Sequence, residues 1–66
     1  MRVELLIEKI RKEKGISQEK LAKLSGISAA HISYLERGER RATINVLVQI
    51  AKALNVDEKE LYRVKR

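Results

Sequence analysis

Cysteine and proline are both absent from this 66-residue chain, as are tryptophan and phenylalanine, and only one histidine is present. Without cysteine there is no disulfide, no thiolate nucleophile and no zinc thiolate ligand. The lone His31 cannot build a metal site unaided. Neither G-x-G-x-x-G nor G-x-x-x-x-G-K-[ST] occurs, so no reacting constellation is recognisable, and the chain is expected to be no enzyme and to need no cofactor. Long apolar runs are missing too: Leu5 to Ile7 and Val46 to Val48 are the longest. Neither a spanning helix nor a signal-peptide core can be placed on them, and a cytoplasmic location is expected.

What is present is charge. Fifteen Lys and Arg stand against nine Asp and Glu, for a net charge of +6 at neutral pH. A balance this basic favours a polyanionic partner such as nucleic acid. An acidic membrane surface would also suit the charge, but helices that pack on one another have no apolar faces free for it, so no membrane partner is expected. A chain of this length has room for a single core, and one domain spanning residues 1–66 is expected.

Helical periodicity dominates, and the predicted fold is an all-α, five-helix domain. Val3, Leu6, Ile7 and Ile10 recur at helical spacing, placing helix 1 at about residues 3–14 before Gly15. Ser17 is an N-cap for helix 2, with Leu21 and Ala22 inward and Gly26 at its end. Ser28 caps helix 3, whose Ile32 and Leu35 face the core up to Gly38. Thr43 caps helix 4, with Leu47, Ile50, Ala51 and Leu54 as its inward stripe and Asn55 as its terminator. Asp57 and Glu60 form a capping-box pattern that opens a fifth helix through Leu61 and Tyr62.

Residues 18–37, QEKLAKLSGISAAHISYLER, carry the specific signal. Two helices crossing at a tight turn need a small residue at closest approach, a turn residue free to take positive φ, and apolar residues that pin the second helix. Ala22, Gly26 and the set Leu21, Ile27, Ile32 and Leu35 meet these needs in order. The strings IRKEKGISQEKLAKLSGIS, ISYLERGER and LVQIAKALNV resemble the phage-repressor and Cro-like helix-turn-helix family, also called the xenobiotic-response-element family. The resemblance covers about Val3 to Tyr62.

That resemblance implies a lambda-repressor-like domain in which helix 3 enters the major groove of duplex DNA while helix 2 lies across the backbone. Gln18 matches the family's phosphate-contacting residue, and Ala29, Ala30, Ser33 and Tyr34 match positions that face base edges. Arg11 and Glu36 match a pair that joins helix 1 to helix 3 in a buried salt bridge. His31 matches a position often filled by Tyr, which implies partly buried packing.

Two features lie outside the family pattern. Residues 15–36 are neutral, while Arg37, Arg40 and Arg41 gather just before the helix 4 N-terminus at Thr43, a ready phosphate site. Alanines 29 and 30 can touch a thymine methyl but cannot form bidentate bonds to guanine or adenine. Direct readout then falls to Ser28, Ser33, Tyr34 and Arg37, with DNA shape contributing.

The leading expectation is a sequence-specific transcriptional regulator, a repressor or activator with no evident small-molecule ligand. One recognition helix reads too few base pairs to select a genomic site, so a homodimer on a palindromic operator is expected. Val46, Tyr62 and Val64, apolar residues off the core stripe, are the candidates for its interface. The alternative is a protein-interaction module, such as an antitoxin-like subunit, built on the same fold.

Overall fold

In the computed structural model, which describes residues 2–66, hydroxyl and carboxylate side chains start most of the helices. Ser17, Ser28 and Thr43 lie in extended backbone, and their oxygens accept from the amides of Lys20, His31 and Val46 at 3.0–3.2 Å. Each bond satisfies an amide that the first turn leaves unpaired. The helices so begun are α2 (Gln18–Ser25), α3 (Ala29–Glu36) and α4 (Ile44–Leu54). They follow β1 (Arg2–Leu5) and α1 (Ile7–Glu13), and a 3-10 turn (Glu58–Leu61) and β2 (Tyr62–Lys65) close the chain.

The described residues are thus mostly helical, with four α-helices and a small ribbon where five helices were expected. Asp57 does open a full capping box with Glu60, but the turn it starts is four residues long, and Tyr62 is already extended at φ −150°. From there the chain pairs antiparallel with its own beginning: Arg2 opposite Lys65, Val3 opposite Val64, Glu4 opposite Arg63, and Leu5 opposite Tyr62. Helix 1 consequently starts at Ile7 rather than residue 3, and Val3, expected on its buried stripe, is 61% exposed on the ribbon. Leu6 offers no capping side chain; its amide donates to the Leu61 carbonyl at 2.7 Å, which ties the start of α1 to the end of the 3-10 turn. On the ribbon's charged face Glu4 pairs with Arg63 and, at 3.2 Å, with Lys65. Those two cations hold the Glu4 carboxyl below its usual range.

Ile7, Leu21, Ile32, Leu35, Ile50, Leu54 and Leu61 are fully enclosed, with Ile27 and Ala51 beside them. Every α-helix and the 3-10 turn contribute to this one cluster, and burying each large side chain favours folding by about 1.5–3 kcal/mol. The core pins α3 from behind through Ile32 and Leu35, leaving its other face to solvent. Among the described residues no buried side-chain nitrogen or oxygen lacks a partner. No described helix is long and apolar enough to cross a membrane.

Candidate nucleic-acid interface

The turn between α2 and α3 is set by Gly26, whose φ of +76° lies in the left-handed region that side-chain-bearing residues avoid. Its amide donates to the Ala22 carbonyl at 2.9 Å, ending α2. One residue on, Ile27 drops into the core and its amide donates to Ser25 Oγ at 3.1 Å. Ser28 then caps α3 at once. Capped start, glycine stop and immediate second cap are what two helices need to meet across so short a turn.

Behind that unit lies a polar cluster. Arg11 Nε donates to Glu36 Oε2 at 2.7 Å and Arg11 Nη2 to Oε1 at 3.0 Å, while Nη1 reaches the Ile16 carbonyl at 2.8 Å. Gln18 Nε2 donates to the same Glu36 Oε1 at 2.8 Å. The two charged side chains are only 9% and 2% exposed. Burial pushes the Glu36 carboxyl up, but the bonds from Arg11 and Gln18 outweigh it and hold the group below the usual carboxylate range. The bonds that Arg11 donates to Glu36 correspondingly raise the guanidinium, against its own desolvation. One carboxylate therefore joins α1, the first residue of α2 and the last residue of α3. The Gln18 link was not legible in the sequence, since nothing local relates residues 18 and 36.

The outer face of α3 carries Ala29, Ala30, Ser33 and Tyr34, with Arg37 just past its end, all at three- or four-residue spacing and so on one side of the helix. Ala30, Tyr34 and Arg37 are exposed, and Ala29, His31 and Ser33 are half-buried. Ser28 is exposed, with its hydroxyl engaged as the cap. Gly38, at φ +75°, turns the chain back: its amide donates to the Leu35 carbonyl at 3.1 Å, and the Glu39 amide to the Tyr34 carbonyl at 2.9 Å. This is a Schellman ending, which folds the residue after the glycine over the last turn. Glu39 thereby meets Arg37, whose Nε and Nη2 donate to its carboxylate at 2.8 and 3.3 Å, while Nη1 donates to Ser33 Oγ at 2.8 Å. Arg37 and Arg40 both approach the Tyr34 ring, with Cζ 5.2 and 5.1 Å from its centroid. Sequence reasoning missed Glu39; its signal was the glycine before it, which reverses the chain onto the helix end.

Arg40 and Arg41 are exposed, and Thr43 accepts from the Val46 amide at 3.2 Å as the α4 cap. Val46 is half-buried and packs on the core, whereas Ile44, unremarked in the sequence, is 78% exposed at the start of α4. Tyr62 is half-buried and Val64 is 45% exposed on the ribbon.

Two capped helices at a glycine turn, the second with an open outer face beside a basic loop, define a helix-turn-helix DNA-recognition unit. A helix-turn-helix family model matches residues 7–61, and the chain belongs to the Cro/C1-type, or xenobiotic-response-element, helix-turn-helix family. It is 43% identical over 53 residues to the HTH-type transcriptional regulator y4dJ of Sinorhizobium fredii, covering 80% of this chain and 69% of the relative. It is 41% identical over 61 residues to control protein C.SmaI of Serratia marcescens, covering 88% and 73%. The crystal structure of the restriction-modification controller protein C.AhdI from Aeromonas hydrophila matches with a TM-score of 0.80 at 35% identity over 82% of each chain. The chain is accordingly a DNA-binding transcriptional regulator and not an enzyme.

Proposed function

We propose that this protein is a controller-type regulator that recognises a palindromic operator as a homodimer and represses by occupying it. One observation carries the reading: Gln18 bonds to the end of α3 while Arg37 and Arg40 gather on Tyr34 one turn back. The basic loop thus brings its donors to the exposed face of this helix, while Gln18 braces the same helix from its buried side through Glu36. Gln18, Arg37, Arg40, Arg41 and the amides at Thr43 take phosphates and fix the register. Bases are read by Ser28, Ala29, Ala30, Ser33, Tyr34 and Arg37. Ser33 takes part through Arg37, which occupies its hydroxyl in the free protein.

The two-fold axis lies near α4 and the terminal ribbon, and the exposed Ile44 is a further candidate for its interface beside Tyr62, Val64 and the partly covered Val46. The axis spaces the two copies of α3 about 34 Å apart, one turn of duplex. Relatives that share most of this length include a control protein and a restriction-modification controller, which supports a regulatory role, and a role on DNA fits a cytoplasmic location. Selection of bound fragments from a random duplex pool tests all of this together. Enrichment of an inverted repeat with half-sites one turn apart is the expected result. Recovery of no motif, with the protein monomeric on DNA in sedimentation, would overturn it.

A further inference from the structure

Arg37 ends the recognition helix, where the free carbonyls favour a cation, yet its nitrogens are already engaged within the chain. Glu39 grips it through both carboxylate oxygens, Ser33 takes the third donor, and the Tyr34 ring lies 5.2 Å from its Cζ. Unlike the clamp behind the helix, this pair is open to water, its side chains 53% and 52% exposed. A carboxylate in a bidentate fork on a guanidinium presents the same charge and nearly the same geometry as two phosphate oxygens. The Schellman ending at Gly38 fixes the backbone that presents it.

We propose that Glu39 is an internal competitor for DNA phosphate: it holds Arg37 in the free protein and gives up the guanidinium when the duplex arrives. This rests on the DNA-binding reading above and adds to it a residue that no contact with DNA would reveal. An exposed ion pair is weak, so the exchange is reversible and does not block binding. It acts on the phosphate contact of Arg37, so on a random-sequence duplex, where no base contact is selected, it is a threshold that lowers affinity by a constant factor. Arg40 shares the ring but has no carboxylate within ion-pair distance among the described residues, which makes it the natural control.

A double-mutant cycle on a random-sequence duplex, followed by fluorescence anisotropy at fixed salt, tests the proposal. Glu39→Gln should tighten binding by about two- to fivefold, the scale of an exposed pair. In an Arg37→Ala background the same change should give no gain, while in an Arg40→Ala background the gain should persist. Equal gains in all three backgrounds would show that Glu39 acts by general repulsion and would overturn the proposal alone. No gain from Glu39→Gln in the otherwise native chain would overturn it as well. Failure of the native protein to bind duplex, with its melting curve intact, would overturn the DNA-binding reading and the proposal with it.

Discussion

Two arginine–glutamate pairs in this small protein have nearly the same chemistry and opposite surroundings. Arg11 and Glu36 form a bidentate pair with Gln18 as third partner, and Arg37 and Glu39 form one with Ser33 as third partner. The first is sealed at 9% and 2% exposure; the second stands in water at about half exposure. Sealing makes a pair structural, because neither charge has an alternative partner. Exposure makes it exchangeable, because water, salt and phosphate all compete. Burial, more than hydrogen-bond count, separates a clamp from a handle.

The largest expected effect follows from breaking the clamp. Arg11→Met leaves Glu36 buried without its cation and should cost about 3–5 kcal/mol. A 66-residue domain is stable by only about 3–10 kcal/mol, so the thermal melt should fall by tens of degrees or vanish. A loss below about 1 kcal/mol would place the pair in the exposed class.

Acid should dissolve the same clamp gradually. The folded Glu36 carboxyl lies below its unfolded value of about 4.3, so its contribution is complete above that value and is lost as pH falls through the folded one. Melts of Glu36→Gln, lacking this carboxyl, should change less with falling pH below about 4.3 than those of the native chain. Glu4→Gln serves as the comparison for the exposed ribbon carboxylate, which is lowered too. Equal acid sensitivity in the native chain and Glu36→Gln would remove the clamp from the acid limb.

Legibility in the sequence divides along a related line, between local and distant relations. Ser17, Ser28, Thr43 and Asp57 cap as their local patterns imply, and Leu21, Ile32, Leu35, Ile50, Ala51 and Leu54 are buried as helical spacing requires. The ribbon was invisible because its strands have four residues each and lie at opposite ends of the chain. A run such as Val3, Glu4, Leu5 fits a helical stripe as readily as a strand until its partner is known. The same holds at the interface. Arg11 and Glu36 were legible only through family resemblance, whereas Gln18 with Glu36, and Arg37 with Glu39, depend on how helix ends turn in space.

On the exposed side, effects should appear in binding and hardly at all in stability. Arg40→Ala with Arg41→Ala should weaken every duplex alike and flatten the salt dependence by about 2 in slope, since each lost phosphate contact removes about 0.9. Selective weakening of one sequence would instead make these arginines base readers. The smallest expected effect is on the melting of Arg37→Ala, which should differ from the native chain by less than about 1 kcal/mol. A loss as large as that of Arg11→Met would erase the distinction between the two pairs.

The most direct test of the account is the salt dependence of duplex binding by the native chain. Three arginines on phosphates, Arg37, Arg40 and Arg41, give log K against log salt a slope of about −3 per subunit, since the uncharged Gln18 and the amides at Thr43 position the duplex without releasing counterions. That slope, the same on arbitrary duplex as on a selected operator to within one contact, is the predicted result. A flat response on both would contradict the interface and favour a protein partner for this face.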